Sequence, residues 1–353
     1  MVDFKKNNLH IVGYSEPVDL WMTLDELKQH LHSLPDQPDA IPYVTSYYSR
    51  NWGFCLTHEQ LQSFVPGRYH VVIDAELKPG VLNYGELILP GELDQEIFLS
   101  TYICHPSMAN NELSGPVVTT ALYQWLKTLI DRKYTYRIVF ITETIGSIVY
   151  LSKHLDYLIK SIISGFNITC MGDERAYSYL PSRNGKTLSD YVALHVLKHT
   201  DPDFIRYTWL DRGSDERQYC SPGVDLPLVT LCRSKYGRYP EYHTSLDNLD
   251  FVTPDGLLGG YGLVQDCISV VENNRVFRVT CYGEPQLGKR GLYSNLSTKK
   301  SYASEKTMMD FIAYADGNND LLQISNIIRK PVREIVPIAE KLLEAGDIDW
   351  FVQ

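Results

Sequence analysis

The sequence has no long apolar run and no apolar leader. No stretch of about 18 consecutive apolar residues occurs in the 353-residue chain, so a membrane-spanning helix is not expected. The first eight residues, MVDFKKNN, are largely polar and lack the apolar centre of a secretory signal. Internal repeats and low-complexity tracts are also missing. These absences argue against a membrane protein and against a repeat protein, and they favour an ordinary globular chain.

Paired cysteine motifs are missing as well. The seven cysteines are odd in number and scattered, and none forms a Cys-x-x-Cys pair. Several lie inside apolar, strand-like segments, which is typical of buried thiols in a reducing compartment. The cysteine pattern and the absence of a leader together predict a cytoplasmic protein without a membrane partner.

The charge balance is acidic, with 33 Lys and Arg against 43 Asp and Glu and a net charge of -10. Non-specific nucleic-acid binding depends on cations that neutralise phosphates, so no nucleic-acid partner is expected. With 44% hydrophobic and 22% charged residues, the composition is typical of a folded globular protein. The length allows one large domain with one or two small ones.

Hydrophobic periodicity divides the chain into three predicted units. Residues 1–91 combine a capped helix near 23–31 with strand-like runs at 9–14, 69–74 and 81–89, which predicts a small β-rich domain. Residues 92–282 alternate strands with helices at 114–130, 145–161, 187–199 and 254–272. Such alternation predicts an α/β domain with a mixed, largely parallel sheet and helices on both faces.

The last predicted unit, residues 283–353, contains helical patterns at 304–315, 319–328 and 331–345 followed by a short strand. Three helices and a terminal strand predict a winged helix. From residue 285 onward the unit carries nine Lys or Arg against nine Asp or Glu, whereas a DNA-reading module is usually basic. We therefore expect this unit to pack or to contact protein rather than to read DNA.

Polar residues follow the predicted central strands where each strand ends. His105, Glu143 and Asp173 come after three of them, and His243 lies in the loop after a fourth. The carboxyl ends of parallel strands meet at one edge of an α/β sheet, where ligands bind. Imidazole and carboxylate are zinc ligands in catalytic sites that keep one position open for water. The pattern predicts a metal-binding site at this edge.

Each of these residues also has a structural interpretation. Glu143 could cap the helix that begins near residue 145, because carboxylates are favoured at helix N-termini. Asp173 could stabilise a turn, and His243 could belong to a patch of tyrosines in its loop. The convergence of all four residues at one sheet edge favours the metal site.

In their order along the chain, these residues resemble the zinc aminopeptidase family of the MH clan. That family shows a His, an Asp in an Asp-x-x-Ser-Gly turn, a Glu-Glu pair, a further Asp and a late Tyr-His-Thr. The corresponding positions in this sequence are His105, Asn111, Glu143 with Thr144, Asp173 and His243. The resemblance implies an aminopeptidase-like α/β fold, zinc as the cofactor, metal ligands at His105, Asn111, Asp173 and His243, and Glu143 as the general base.

The whole chain is most similar to bacterial aminopeptidase-like proteins of unassigned function that carry an inserted small domain and a C-terminal winged helix. In that group the peptidase part begins before the inserted domain, so a preceding segment is expected. Asn111 and Thr144 replace carboxylates of the family, and a neutral side chain bridges or binds zinc poorly. One zinc ion is therefore expected rather than two. Glu112, next to Asn111, is expected to point elsewhere.

These observations predict a zinc-dependent aminopeptidase or amidohydrolase in which metal-bound water attacks an amide and Glu143 accepts the proton. The substrate would be a peptide or an aminoacyl amide, and the chain could form a homo-oligomer. The two lost carboxylates also support an alternative hypothesis, a catalytically degenerate binding or scaffold protein. A winged-helix regulator is a third. The residues expected to contact substrate are Asp215, Glu216, Glu241 and Tyr242.

Overall fold

A computed structural model describes residues 2–292 and 299–351 of the chain. Its strands are β1 (Val18–Thr23), β2 (Leu31–His32), β3 (Phe54–Cys55), β4 (Arg68–Ile73), β5 (Gly85–Leu89), β6 (Leu93–Tyr102), β7 (Tyr134–Ile141), β8 (Ile162–Ile168), β9 (Ser178–Leu180), β10 (Ile205–Arg206), β11 (Leu228–Cys232), β12 (Val276–Val279), β13 (Asp316–Asp320) and β14 (Ile348–Phe351). Its α-helices are α1 (Leu24–Leu27), α2 (His58–Gln62), α3 (Ser114–Leu126), α4 (Ile145–Ser161), α5 (Leu188–Thr200), α6 (Glu216–Tyr219), α7 (Pro254–Asn273), α8 (Lys299–Tyr314), α9 (Leu321–Ile328) and α10 (Val332–Glu344).

The largest sheet has seven strands in the order β10-β9-β11-β8-β6-β7-β5. The four central strands β11, β8, β6 and β7 are parallel, while β5 runs antiparallel to β7 and β9 runs antiparallel to β11. The edge strand β10 is parallel to β9. The predicted mixed, largely parallel sheet is therefore confirmed. The carboxyl ends of the four parallel strands form one edge, and the predicted site residues follow these ends.

Helices cover both faces of this sheet, so the central strand β6 is buried on both sides. Ile97 and Leu99 belong to one core with side chains of α3, α5 and α7, whereas Phe98 between them belongs to a second core with side chains of α4 and α6 on the opposite face. Successive side chains of a strand point to opposite faces of the sheet, so a strand whose consecutive residues are all apolar packs against helices on both faces. Among the described residues, no helix combines the length and apolar character that crossing a bilayer requires.

Helix α7 fixes the segment after β8 by close backbone contact. A Cβ on Gly256 would lie 2.0 Å from the carbonyl oxygen of Gly172, and a Cβ on Gly260 would lie 2.6 Å from that of Met171. Only glycine allows this approach. The loop that begins at the end of β8 is thereby held against the helix.

The N-terminal unit is built from two small sheets, with β1 antiparallel to β4 and β2 parallel to β3. Thr23 and Glu26 form a reciprocal capping box at α1, as the sequence predicts. The strand predicted over 9–14 is not formed, because the chain makes a 3-10 turn (Asn8–His10) capped by Asn7 and then only isolated bridges. Strand β5 was predicted within this unit, but it pairs with β7 in the large sheet.

The C-terminal unit combines α8, α9 and α10 with a three-stranded sheet in the order β13-β12-β14. Its apolar side chains share one core with α5 and α7 of the α/β domain. His195 on α5 bonds to this unit through both ring nitrogens: Nδ1 lies 2.8 Å from Asn326 Oδ1, and Nε2 accepts the Val332 N–H at 3.1 Å. The first turn of α10 is therefore docked on the α/β domain.

Candidate active site

His105 and Glu112 form the best-defined pair at the carboxyl edge of the sheet. The Nδ1 atom of His105 bonds to Glu112 Oε1, and Glu112 Oε2 accepts the Cys104 N–H at 2.7 Å. Burial opposes the charge of His105, but its contacts with Cys104 and Glu112 raise its pKa to about 10. The expectation that Glu112 points elsewhere is wrong, because a π-helical turn (Ala109–Leu113) directs it to His105.

His243 lies beside His105, with 4.9 Å between the two ring centroids. Its ring stacks on Tyr242 at 3.8 Å, and its buried Nε2 atom has no hydrogen-bond partner among the described residues. Burial, aided by the charge of His105, lowers the pKa of His243 to about 4. The site therefore pairs a charged imidazole with a neutral one at pH 7.

A segment of the N-terminal unit covers the two histidines. The Tyr43 ring contacts His105 and His243 edge-on, with centroid distances of 4.9 Å and 5.2 Å. The Tyr43 N–H donates to the His243 carbonyl oxygen at 2.9 Å, and Pro42 forms a bridge with Thr244. Tyr43 was not predicted as a site residue, and only the abundance of aromatic residues in this stretch points to it.

Glu143 belongs to the same cluster and follows β7 by two residues. Burial raises the pKa of its carboxyl group, and the neighbouring carboxylates Glu112 and Glu216 add to this. Contact with Ser214 and the positive charge of His105 act in the opposite direction. A carboxyl group with a raised pKa beside an imidazolium is suited to general acid–base chemistry.

Two of the residues expected to bind substrate lie beneath the cluster and are inaccessible. Asp215 is fully buried and accepts hydrogen bonds from the Thr144 N–H at 2.7 Å and the Ser147 hydroxyl at 2.8 Å. Glu216 is also fully buried, and it accepts hydrogen bonds from the Tyr236 hydroxyl and from a backbone turn. Both side chains hold the site together from below rather than face a ligand.

The other two residues expected to bind substrate lie in the loop after β11. Glu241 forms a two-fold ion pair with Arg175, at 2.7 Å and 2.8 Å, and this pair lowers the pKa of Glu241. The ring of Tyr242 stacks on the ring of His243 and covers one of its faces. The carboxylate of Glu241 is therefore already neutralised within the chain.

Asp173 does not join the histidines as predicted. Its Oδ1 accepts from the Ser234 hydroxyl at 2.7 Å and from the Arg175 N–H at 3.0 Å. Its Oδ2 accepts from the Ser234 N–H at 2.9 Å and from Asn110 Nδ2 at 3.2 Å. With both oxygens used in this way, Asp173 ties the loop after β8 to the loop after β11.

Asn111 is buried, and its Nδ2 atom donates to the Tyr102 hydroxyl at 2.9 Å. Its Oδ1 atom is buried without a hydrogen-bond partner among the described residues. The turn around it is fixed by Asp247, which accepts the N–H groups of Asn110 at 2.6 Å and Asn111 at 3.0 Å. Asp247 follows His243 by four residues and was not predicted as part of the site.

Strained backbone surrounds the cluster. Ser107, Thr144, Cys170 and His243 have φ angles of 59°, 61°, 50° and 57°. These values lie in the left-handed region that side chains other than glycine rarely adopt. Strain of this kind persists only where the surrounding structure enforces it, and it concentrates at functional sites. All four residues lie in the loops that follow the parallel strands.

The predicted zinc site is incomplete. Within residues 2–292 and 299–351, no group of three or more His, Cys, Asp or Glu side chains is placed to hold a metal ion. A catalytic zinc ion takes three protein ligands. His105 and His243 are adjacent, but both Asp173 oxygens accept hydrogen bonds within the chain, and Asn111 is held through its Nδ2 atom by Tyr102. The donors as placed do not fit the predicted zinc ion, which stays a prediction.

The fold and the site together define an aminopeptidase-like α/β protein that carries a C-terminal winged helix. Residues 17–274 match a family described as a domain of unknown function (DUF4910), and residues 275–349 match a winged helix-turn-helix family. The chain belongs to this DUF4910 family. The predicted winged helix and the predicted likeness to aminopeptidase-like proteins are thereby confirmed.

The chain is similar to named proteins as well. A Clostridium acetobutylicum protein, named provisionally for polysaccharide biosynthesis and an aminopeptidase-like domain, is 44% identical over 92% of this chain and 75% of its own. A crystal structure from the same species, named provisionally as a peptidase, is 41% identical with a TM-score of 0.92 over 99% and 80% of the two chains. A zinc aminopeptidase from Bacillus subtilis shows 12% identity and a TM-score of 0.49 over 68% and 63%.

Proposed function

We propose that the chain hydrolyses an amide bond at the cluster of His105, Glu143 and His243. The observation that carries the proposal is the raised pKa of Glu143 beside the charged His105, at the carboxyl edge of a parallel sheet. Open α/β sheets bind their ligands at this edge. The aminopeptidase-like names of the relatives support hydrolysis of amides as the reaction class.

Glu143 acts as the general base in this reaction. It takes a proton from water as the oxygen attacks the amide carbon, and it returns that proton to the leaving amine. A raised pKa brings the base closer to the working pH and so improves proton transfer in both directions. The products are a carboxylic acid and an amine.

His105 stabilises the transition state. Because Glu112 holds its Nδ1 side, the Nε2–H of the charged ring is left to donate to the carbonyl oxygen as negative charge develops there. The neutral ring of His243 adds an acceptor or a donor without adding charge. Every step is assigned to side chains of the chain, because the donors do not complete the predicted zinc site.

The test is hydrolysis of a panel of amides by the purified protein and by the Glu143→Gln variant. The panel holds aminoacyl anilides, dipeptides and N-acetylglucosamine, the last because one relative is named for polysaccharide biosynthesis. A matched control is Glu92→Gln, since Glu92 is exposed and precedes β6 at the opposite end of the sheet. Each protein is assayed after chelation and again with added zinc.

The expected result is turnover that Glu143→Gln abolishes and Glu92→Gln preserves. General-base catalysis contributes on the order of a hundred- to ten-thousandfold, so the loss should reach at least a hundredfold. Equal turnover by both variants would overturn the assignment of the base. No turnover of any amide, with or without zinc, would overturn the proposed reaction.

A further inference from the structure

A cleft of about 720 Å³ opens between the N-terminal unit and the carboxyl edge of the large sheet. Tyr14, Tyr43 and Tyr47 line it on one side, and Cys104 and Thr142 line it on the other. We call it the tyrosine cleft. Cys104 and Thr142 directly precede His105 and Glu143, and Tyr43 contacts both site histidines. The cleft therefore adjoins the candidate active site across Tyr43, and its volume is that of a small-molecule pocket.

The tyrosines form a broad aromatic surface. The Tyr14 and Tyr47 rings lie 5.0 Å apart, and the hydroxyls of Tyr43 and Tyr47 are 3.2 Å apart. Tyr14 is 63% exposed, although its φ of 65° places it in the left-handed region. A strained backbone that presents an exposed ring is typical of a binding position rather than of a packing position.

The charges that line the cleft have one sign. Its ionisable lining residues are Cys104, three tyrosines and two carboxylates, Asp74 and Glu76, and no Lys or Arg lines it within the part of the chain that the structure describes. Glu76 pairs with Lys78 at 2.7 Å. Asp74 is exposed and forms no ion pair or hydrogen bond with the described residues through its carboxylate. Such a lining repels phosphates and carboxylates and favours a cation.

We propose that the tyrosine cleft is a binding site for an organic ammonium group, formed by the N-terminal unit. The faces of Tyr14 and Tyr47 attract the cation and pack against its alkyl or aryl part. Asp74 supplies the compensating negative charge. The inference rests on the proposed function in one respect. The conclusion that the hydrolysed amides carry a primary amine holds only for a chain that hydrolyses amides. The cleft itself binds amines whether or not an amide is present.

The experiment measures binding of three probes that share a 2-(4-hydroxyphenyl)ethyl group by isothermal titration calorimetry. Tyramine carries an ammonium group, 3-(4-hydroxyphenyl)propanamide is neutral, and 3-(4-hydroxyphenyl)propanoate is anionic. The proteins are the full chain and its Asp74→Asn, Tyr14→Ala and Asp25→Asn variants. Asp25 is an exposed aspartate outside the cleft and serves as the matched control.

Tyramine should bind more tightly than the amide, and the propanoate should bind least. Asp74→Asn should weaken tyramine binding about fivefold, the size of an exposed ion pair, and leave the amide unchanged. Tyr14→Ala should weaken both probes, and Asp25→Asn should weaken neither. Absence of tyramine binding, equal binding of all three probes, or tyramine binding that is insensitive to Asp74→Asn would overturn the proposal. Because no turnover is measured, loss of the proposed hydrolase function would leave this result standing.

Discussion

Asp215 gives the sharpest test of the electrostatics beneath the site. Its side chain is fully buried, one carboxylate oxygen accepts the bonds from Thr144 and Ser147, and Oδ2 has no partner among the described residues. Burial, and next the charge of Glu143, raise the pKa of Asp215 from 3.8 to about 8. We predict that the Asp215→Asn substitution makes the folded protein less sensitive to rising pH.

The direction follows from proton linkage. Between pH 4 and pH 8 folded Asp215 keeps a proton that the unfolded chain releases, so the free energy of unfolding falls as the pH rises. Each pKa unit corresponds to about 1.4 kcal/mol, so the shift to about 8 amounts to about 6 kcal/mol. Asparagine keeps the acceptor oxygen but cannot ionise. The stability of Asp215→Asn relative to the natural chain should therefore increase by several kcal/mol between pH 5 and pH 8.5.

Urea unfolding followed by tryptophan fluorescence at these two pH values measures the change. Asp203→Asn is the control, because Asp203 is exposed and the substitution removes one carboxylate without altering the buried cluster. The control should follow the pH dependence of the natural chain. If Asp215→Asn followed it as well, Asp215 would be ionised in the folded protein and the argument from burial would fail.

Three further predictions concern histidines. Glu112→Gln should lower the pKa of His105 from about 10, because the contact with Cys104 is then left to oppose burial without the Glu112 carboxylate. Ring NMR titration measures the pKa, and an unchanged value would contradict the pairing. The His243 ring should stay neutral down to about pH 4, so its NMR shifts should be constant from pH 5 to pH 9. His195→Ala removes two hydrogen bonds to the C-terminal unit, each of which contributes about 1 kcal/mol to stability. The Tm of the variant should therefore be lower, and an unchanged Tm would show that apolar packing alone docks the unit.

Much of the fold could be predicted because local signals and tertiary structure agree. Helix α4 occupies the predicted residues 145–161, and Pro254 begins α7 at its first position, where its missing N–H costs nothing. The prediction failed where pairing is long-range. Strand β5 ends in three apolar residues that are typical of a strand, but nothing in residues 85–89 specifies β7 rather than the N-terminal unit as its partner.

The candidate site was also predicted in part, and its prediction failed where long-range contacts decide the position of a side chain. The order of strand ends was sufficient to bring His105 and His243 together and to place Glu143 with them. Asp173 was misplaced because it lies five residues beyond β8, where two bonds from Ser234 decide its direction. Tyr43 comes from another unit of the chain, so its contact with the histidines could not be read from spacing.

The strained loops around the cluster are held in place by contacts from other parts of the chain. Thr144 and His243 would adopt a more favourable φ angle in an isolated segment, but tertiary hydrogen bonds hold both. The Thr144 N–H donates to Asp215, and the His243 carbonyl oxygen accepts the Tyr43 N–H. Backbone strain of about 1–3 kcal/mol at each such residue persists only when it is over-determined in this way. The buried Asp215 carboxyl group on one side and Tyr43 on the other therefore support the same cluster. Loss of either contact should disturb the histidine pair before it unfolds the sheet.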